Sequence, residues 1–214
     1  MRIFLLVSSK EHPIIPMLNE WKKNNSLGKQ IKIINHKKDL VKGDILFLIS
    51  CNEILNSSEI KKFKKVFVLH ASDLPKGRGW SPHIHSILNN KNEITVSLIE
   101  ANKEVDKGDI WLKDKFQLEG HELFNEINEI LFRTELNLMS KLINNIEQII
   151  PIKQSGNPGK YNKKRTPKDS ELNPNKSIAS QFNLLRISDP KRFPAFIKLN
   201  NHKYLINIEK IDDK

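Results

Sequence analysis

Apolar residues in the first half of the chain fall into short runs separated by turn-forming residues. Arg2–Ser8, Gln30–Asn35, Asp44–Ser50, Val66–Leu69 and Ile94–Ile99 have the length and density of strands. The run Asp44–Ser50 (DILFLIS) is apolar almost throughout, as suits a strand covered on both faces at the centre of a parallel sheet. Between the first two runs, Ile14, Met17, Leu18 and Trp21 recur at helical spacing, predicting a helix from Pro13 to about Lys23. Proline at its start fits a first helical turn. Ser58–Lys65 reads as a short basic helix returning to the Val66 strand, and Ile84–Leu88 as one or two helical turns. Strands alternating with helices in this order predict an α/β protein built on an open, mostly parallel sheet.

Beyond Ile99 the pattern changes. Ile110–Leu118 is extended and partly alternating, and Gly120 breaks it. Phe124, Ile127, Leu131, Leu138, Leu142, Ile146 and Ile149 then mark a long helix from His121 to about Ile149, about 40 Å at ~1.5 Å per residue. It either covers the core or offers a face for a homodimer. Pro151 ends it, so residues 1–150 are expected to form the main domain and 151–177 a basic linker. Residues 178–214 would hold a short helix around Ile178, Phe182 and Leu185, then a β-hairpin of Ala195–Leu199 and Lys203–Ile208 turning at Asn200-Asn201-His202.

Composition narrows the setting. A chain of 214 residues can bury a full core. The formal net charge of +11 points either to an anionic partner (nucleotide, polyglutamyl folate or RNA) or to a lysine-rich solvated surface. A single cysteine, Cys51, excludes an internal disulfide and fits a reducing compartment. No apolar run reaches the ~18–20 residues of a membrane helix, and the opening run is too short for a signal-peptide core. The cytoplasm is the expected location, with no membrane partner. The glycine fingerprint Gly-x-Gly-x-x-Gly of dinucleotide-binding sheets is absent. His83 and His85 lie two apart without the Cys or carboxylate spacing of a metal set, so no metal is expected.

The chemistry concentrates between Val66 and Trp111. His70 stands where a parallel strand would end, and Asp106-Lys107-Gly108-Asp109 forms a turn carrying carboxylates. Such residues meet at the carboxyl edge of an open α/β sheet, where ligands bind. A His–carboxylate pair there can move a proton.

His70-Ala71-Ser72-Asp73-Leu74-Pro75, Arg78-Gly79, Pro82 and Asp106-Lys107-Gly108-Asp109-Ile110 resemble, in that order, a known signature. It is the His-x-Ser-x-Leu-Pro, basic-Gly and distal Asp-x-Gly-x-Ile pattern of the N10-formyltetrahydrofolate-dependent formyltransferases. That family includes methionyl-tRNA, glycinamide ribonucleotide and sugar N-formyltransferases and formylation domains of peptide synthetases. The wording from Asp73 to Pro82 is most similar to the sugar-modifying and synthetase branches. The resemblance implies the Rossmann-like formyltransferase fold with the short helix and hairpin as an appendage. It implies an N-formyltransferase that moves the formyl group of N10-formyltetrahydrofolate, a co-substrate, to a primary amine, most similar in this wording to an amine on a nucleotide-linked sugar. His70 and Asp106 would be the acid–base pair, with Ser72 beside them. Ile49, Ser50, Cys51, Asn52, Ile54 and Leu55 after the third strand would place the folate; Lys76, Arg78, Trp80 and Arg186 would hold the acceptor. Cys51 otherwise reads as a buried structural thiol.

One position departs from the pattern. The family places Asn two residues before the His, and this chain has Val68. A valine cannot donate to a formyl oxygen, so Ser72 or His85 is expected to replace the donor; the alternative is an inactive folate- or nucleotide-binding relative. An RNA-linked amine is the other alternative acceptor, favoured by the charge. Against tRNA stands the short stretch after the linker, without room for the C-terminal β-barrel of methionyl-tRNA formyltransferases.

Overall fold

The structure is a computed structural model describing residues 1–211. Its strands are β1 (Arg2–Leu6), β2 (Gln30–Ile34), β3 (Gly43–Leu48), β4 (Phe63–His70), β5 (Glu93–Glu100) and β6 (Ile110–Gln117). They form one sheet in the order β2-β1-β3-β4-β5-β6. β1 to β4 are mutually parallel, whereas β5 and β6 add antiparallel at one side. The apolar density of β1 and β3 explains their central place: Ile3, Leu5, Leu6, Leu46 and Phe47 have no exposure. Each of these strands is covered on both faces, so neither shows the alternation of a half-exposed strand.

Helices α1 (Ile15–Asn25) and α4 (Phe124–Asn145) cover one face. There Leu18, Trp21, Leu138 and Leu142 pack on Leu5, Phe47 and Phe67. The Trp21 indole N–H donates to Ser140 Oγ at 2.7 Å, tying α1 to α4. Phe4, Leu6, Leu46, Leu48, Phe63 and Val66 form the core of the opposite face. α3 (Pro82–Leu88) packs on a third cluster with Ile94, Leu118 and Ile127.

Several elements differ from expectation. The basic helix expected over Ser58–Lys65 is the single turn α2 (Ser57–Ile60), capped by the Asn56 side chain. The chain re-enters the sheet at Phe63, because that ring is buried edge-on against Phe4 at 5.5 Å. The long helix starts at Phe124 rather than His121. The Glu122 carboxylate instead accepts from the backbone N–H groups of Glu119 and Gly120, closing a turn before the helix. At 22 residues it is about 33 Å long.

The segment after Pro151 is not free. Ile152 exchanges backbone hydrogen bonds of 2.8 Å with Ile110 at the start of β6. A 3-10 turn at Pro167–Ser170 and the short helix α5 (Phe182–Arg186) lead to the hairpin of β7 (Ala195–Leu199) and β8 (His202–Ile206). Asn200 and Asn201 take φ values of 48° and 64°, the left-handed pair that a two-residue hairpin turn needs. β8 therefore starts one residue earlier than expected.

Candidate active site

β1, β3 and β4 end together at the carboxyl edge of the sheet, and the loops that follow them enclose a cavity of about 650 Å³. Strand alternation puts Val68 and His70 on the same face of β4, and both line this cavity. Val68 packs with the second core cluster, so the position next to His70 is apolar.

His70 and Asp106 do meet. His70 Nδ1 lies 3.5 Å from Asp106 Oδ1, and both side chains are only 8% exposed. His70 Nε2 is 3.1 Å from the Gly77 carbonyl. A carbonyl only accepts, so the neutral ring carries its proton on Nε2 and leaves the Nδ1 lone pair toward the carboxylate. A proton accepted at Nδ1 is then met by Asp106.

The Asp106 carboxylate is held in turn. Its Oδ2 accepts from the Gly79 N–H at 2.9 Å. Asp106 itself has φ 60°, a conformation that Asp tolerates better than most residues. The Gln154 amide fixes this turn by donating to the carbonyls of Asp106 at 2.9 Å and Gly108 at 2.8 Å. Gly108 is required by space, because a Cβ there would stand 1.5 Å from the Glu100 carbonyl oxygen. Asn162 pins the opposite loop: its N–H donates to the Arg78 carbonyl, and its own carbonyl accepts from the Trp80 N–H. The linker thus runs back along the carboxyl edge of the sheet and braces both loops. Nothing in the sequence marks Gln154 or Asn162 for this work.

The candidate folate loop lies where expected in part. Ser50, Cys51, Asn52, Ile54 and Leu55 line the cavity, and Ser50 turns the chain with φ 46°. Ile49 is fully buried in the other core face and does not reach it. The Cys51 thiol is pushed up by burial, which disfavours the thiolate a nucleophile needs.

Other candidates are placed differently. Ser72 is buried, and its hydroxyl donates to the Lys76 carbonyl at 2.8 Å, inside its own loop. His85 Nε2 sits 3.0 Å from the Lys163 carbonyl. Neither lines the cavity, so neither is placed to replace the missing donor. Trp80 does line it, with Lys164 Nζ 4.6 Å from the ring centroid, whereas Lys76 and Arg78 do not. Arg186 is sealed in the interior: its guanidinium donates to Asn183 Oδ1, Asn92 Oδ1 and Glu122 Oε2. These bonds tie α5 to the residue before β5 and to the turn before α4, so its charge is spent on the fold.

The cavity also contains polar groups outside the expected set of site residues. His83, on the first turn of α3, has a buried Nδ1 without a hydrogen-bond partner. Burial first, then the neighbouring His70 and His85, lowers its pKa to about 4. Glu135, on α4, is 5% exposed with an unpartnered Oε2, and burial raises its pKa to about 8. His12 lies beside Phe132 at 5.7 Å between centroids, its pKa lowered to about 4 by burial and by Arg192, against Asp189. Lys103, Lys164, Arg165 and Arg192 also line the cavity. Among the described residues, no group of three or more His, Cys, Asp or Glu is placed to hold a metal, and no helix is long and apolar enough to cross a membrane.

Comparison with known proteins agrees with this geometry. Residues 8–143 match the Formyl transferase family. A methionyl-tRNA formyltransferase of Wolbachia sp. subsp. Drosophila simulans is 30% identical over 177 residues, covering 83% of this chain and 56% of that protein. One from Rickettsia massiliae is 30% identical over 135 residues, covering 62% of this chain and 44% of that protein. The chain therefore spans about half the length of the curated relatives it matches. Among solved structures, a methionyl-tRNA formyltransferase from Clostridium thermocellum superposes with TM-score 0.81 at 21% identity, covering 99% of this chain and 94% of that one. A 4-N formyltransferase from Francisella tularensis gives 0.73 at 19%, covering 98% of both. HypX from Aquifex aeolicus in complex with tetrahydrofolic acid gives 0.79 at 18%, covering 97% of this chain and 37% of that one.

Proposed function

Because the chain belongs to the formyl transferase family, we propose that it transfers a formyl group from N10-formyltetrahydrofolate to a primary amine, best a nucleotide-linked amino sugar. The observation that carries this is the buried His70–Asp106 pair in the wall of a cavity at the sheet's carboxyl edge.

The cavity fits a folate. Leu48, Leu55, Val68, Ile99 and Ala101 give it an apolar wall on the His70 face, suited to a flat ring with few polar anchors. The cations that line it suit a glutamate tail. In the reaction the amine nitrogen bonds to the formyl carbon and the bond from that carbon to N10 breaks. The proton lost by the amine ends on N10. His70 Nδ1 accepts and returns that proton, while Asp106 holds the ring and balances its transient charge. Positioning supplies much of the rest.

The acceptor rests on weaker support. The wording from Asp73 to Pro82 resembles the sugar branch, and Trp80 with Lys164 offers a ring face and a cation lining the cavity, which suits a base and phosphate. A charged tRNA is the second reading, favoured by sequence relatives that are methionyl-tRNA formyltransferases. The proposed activity suits a reducing, aqueous compartment such as the cytoplasm, as the single cysteine does. Incubation with formyltetrahydrofolate and either a panel of nucleotide-linked amino sugars or charged initiator tRNA, read by mass spectrometry, decides between them. A mass gain of one formyl group on a sugar supports the first reading; formylation of the tRNA alone replaces it with the second. No formylated product from either, with folate bound, would favour a binding-only relative.

A further inference from the structure

We propose that His83 supplies the hydrogen bond that holds the formyl oxygen as it gains negative charge. The proposal rests on the formyl-transfer reading and adds the residue that completes its site.

Attack on a formyl carbon moves charge onto its oxygen, and a preorganised donor aimed at that oxygen is among the largest contributions to such catalysis. The strand itself offers none. Val68 shares the His70 face of β4 and is packed with apolar neighbours. His70 already has the Gly77 carbonyl against Nε2 and Asp106 against Nδ1. The Gly79 N–H is given to Asp106. The Ser72 hydroxyl and His85 Nε2 are engaged by backbone carbonyls outside the cavity.

Among the cavity's other polar groups, His83 has the setting that favours the role. It lines the cavity and lies near enough to His70 for the two charges to interact. Its Nδ1 is sealed off without a partner, whereas Nε2 is neither sealed nor bonded among the described residues. A proton on Nδ1 would bury an unpaired N–H, which costs the desolvation of that group. The ring therefore keeps its proton on Nε2, as a donor on the open side. It stays neutral at ordinary pH, so it adds no cation beside a base that must become one. Its position is fixed in advance. Pro82 and the left-handed Ser81 (φ 43°) set the first turn of α3, and the Lys163 carbonyl holds His85 on the same helix.

Two stable folate analogues test this without an acceptor: 10-formyl-5,8-dideazafolate, which carries the formyl oxygen, and 5,8-dideazafolate, which lacks it. Calorimetry should show the formyl compound bound several-fold more tightly by the parent chain. His83→Phe should abolish that preference while leaving the affinity for the desformyl compound within about twofold. His83→Gln, which keeps an N–H donor, should restore part of it, an outcome that a packing role alone would not produce. In the parent protein, the Nε2–H proton resonance of His83 should move with the formyl analogue and stay in place with the other; this measurement needs no variant to fold. If His83→Phe keeps the preference and the resonance is indifferent to the formyl group, the assignment is overturned while folate binding stands. If the parent binds neither compound, the folate reading itself falls and takes this one with it.

Discussion

Among the described residues, two buried pairs of a basic side chain and a carboxylate have nearly equal separation. His70 Nδ1 is 3.5 Å from Asp106 Oδ1, and Arg186 Nη1 is 3.4 Å from Glu122 Oε2. His70, Asp106 and Arg186 were readable as functional candidates from the sequence, and their partners make the difference between the two pairs. Arg186 spends its guanidinium on Asn183, Asn92 and Glu122, and Glu122 also accepts two backbone N–H groups. That cluster is closed, and nothing is left for a ligand. The His70 pair lines a cavity, and the Nδ1 lone pair of the neutral ring faces the carboxylate with no proton between them until one is taken up. A closed pair holds the fold together, whereas an open one is available for chemistry.

The contrast is sharpest in the response to substitution. His70→Ala or Asp106→Asn should lower formyl transfer at least ~100-fold and as much as ~10,000-fold, the usual range for acid–base residues. Rates measured under single turnover, with whichever acceptor proves active, check this. Near-normal turnover in both variants would remove the pair from the mechanism.

Arg186→Met should do the reverse, costing stability and sparing the site. Removing one partner of a buried pair costs ~3–5 kcal/mol, because the remaining charge is left uncompensated. In a chain of this size that lowers Tm by roughly 10 °C. Folate-analogue affinity, measured below the transition, should stay within about twofold of the parent. A loss of that affinity at unchanged Tm would make Arg186 a ligand residue after all and erase the contrast.

What the sequence revealed follows the same division. The parallel core was legible because β1 and β3 are short apolar runs bounded by turns; topology let strand-end His70 meet a turn carboxylate, and the choice of Asp106 came from the resemblance to the formyltransferase signature. Arg186 was misplaced because a basic residue on a short helix looks the same whether its partners are solvent or Asn92, a residue far away in the chain. Gln154 and Asn162 act through backbone bonds to Asp106, Gly108, Arg78 and Trp80, contacts that no local pattern encodes. The helix start at Phe124 depended on Glu122 folding back on Glu119 and Gly120. Glu135 was hidden by its helix, where one carboxylate among the polar positions of α4 gave no sign of facing inward.

Glu135 extends the comparison to a buried charge with no partner. Its ordinary value is 4.5, and burial raises it to about 8 in the folded chain. Between those values the folded state holds a proton that the unfolded chain has released, so this group's contribution to stability falls as pH rises from about 4.5 to 8. At ~1.4 kcal/mol per unit the whole shift bounds the loss near ~5 kcal/mol; the cavity beside Glu135 makes ~2 kcal/mol a better expectation. Glu135→Gln removes this slope. The Tm difference between variant and parent should be near zero at pH 4.5 and grow to several degrees in the variant's favour at pH 8. Parallel Tm–pH curves would show that Glu135 is not held protonated.

The smallest effect belongs to an exposed cation of the site. Lys164 lies over the Trp80 ring at 4.6 Å and is exposed. An exposed contact of this kind is worth ~0.5–1 kcal/mol, and the lysine has no buried partner whose charge would be stranded by its loss. Lys164→Gln should therefore leave Tm within about one degree of the parent. Its cost should appear in binding of an anion in the cavity. Affinity for a polyglutamylated folate analogue should fall by up to about fivefold at low salt. Because the lysine is in water, ions screen its field over about 10 Å at 0.1 M and about 3 Å at 1 M. The gap between variant and parent should close as salt rises through that range. His70→Ala should show no such closure, since its loss is chemical and its site is buried. A Lys164→Gln defect that persists unchanged at 1 M salt would mean that this lysine is buried by its ligand, and it would then belong with the cavity groups rather than with the rim.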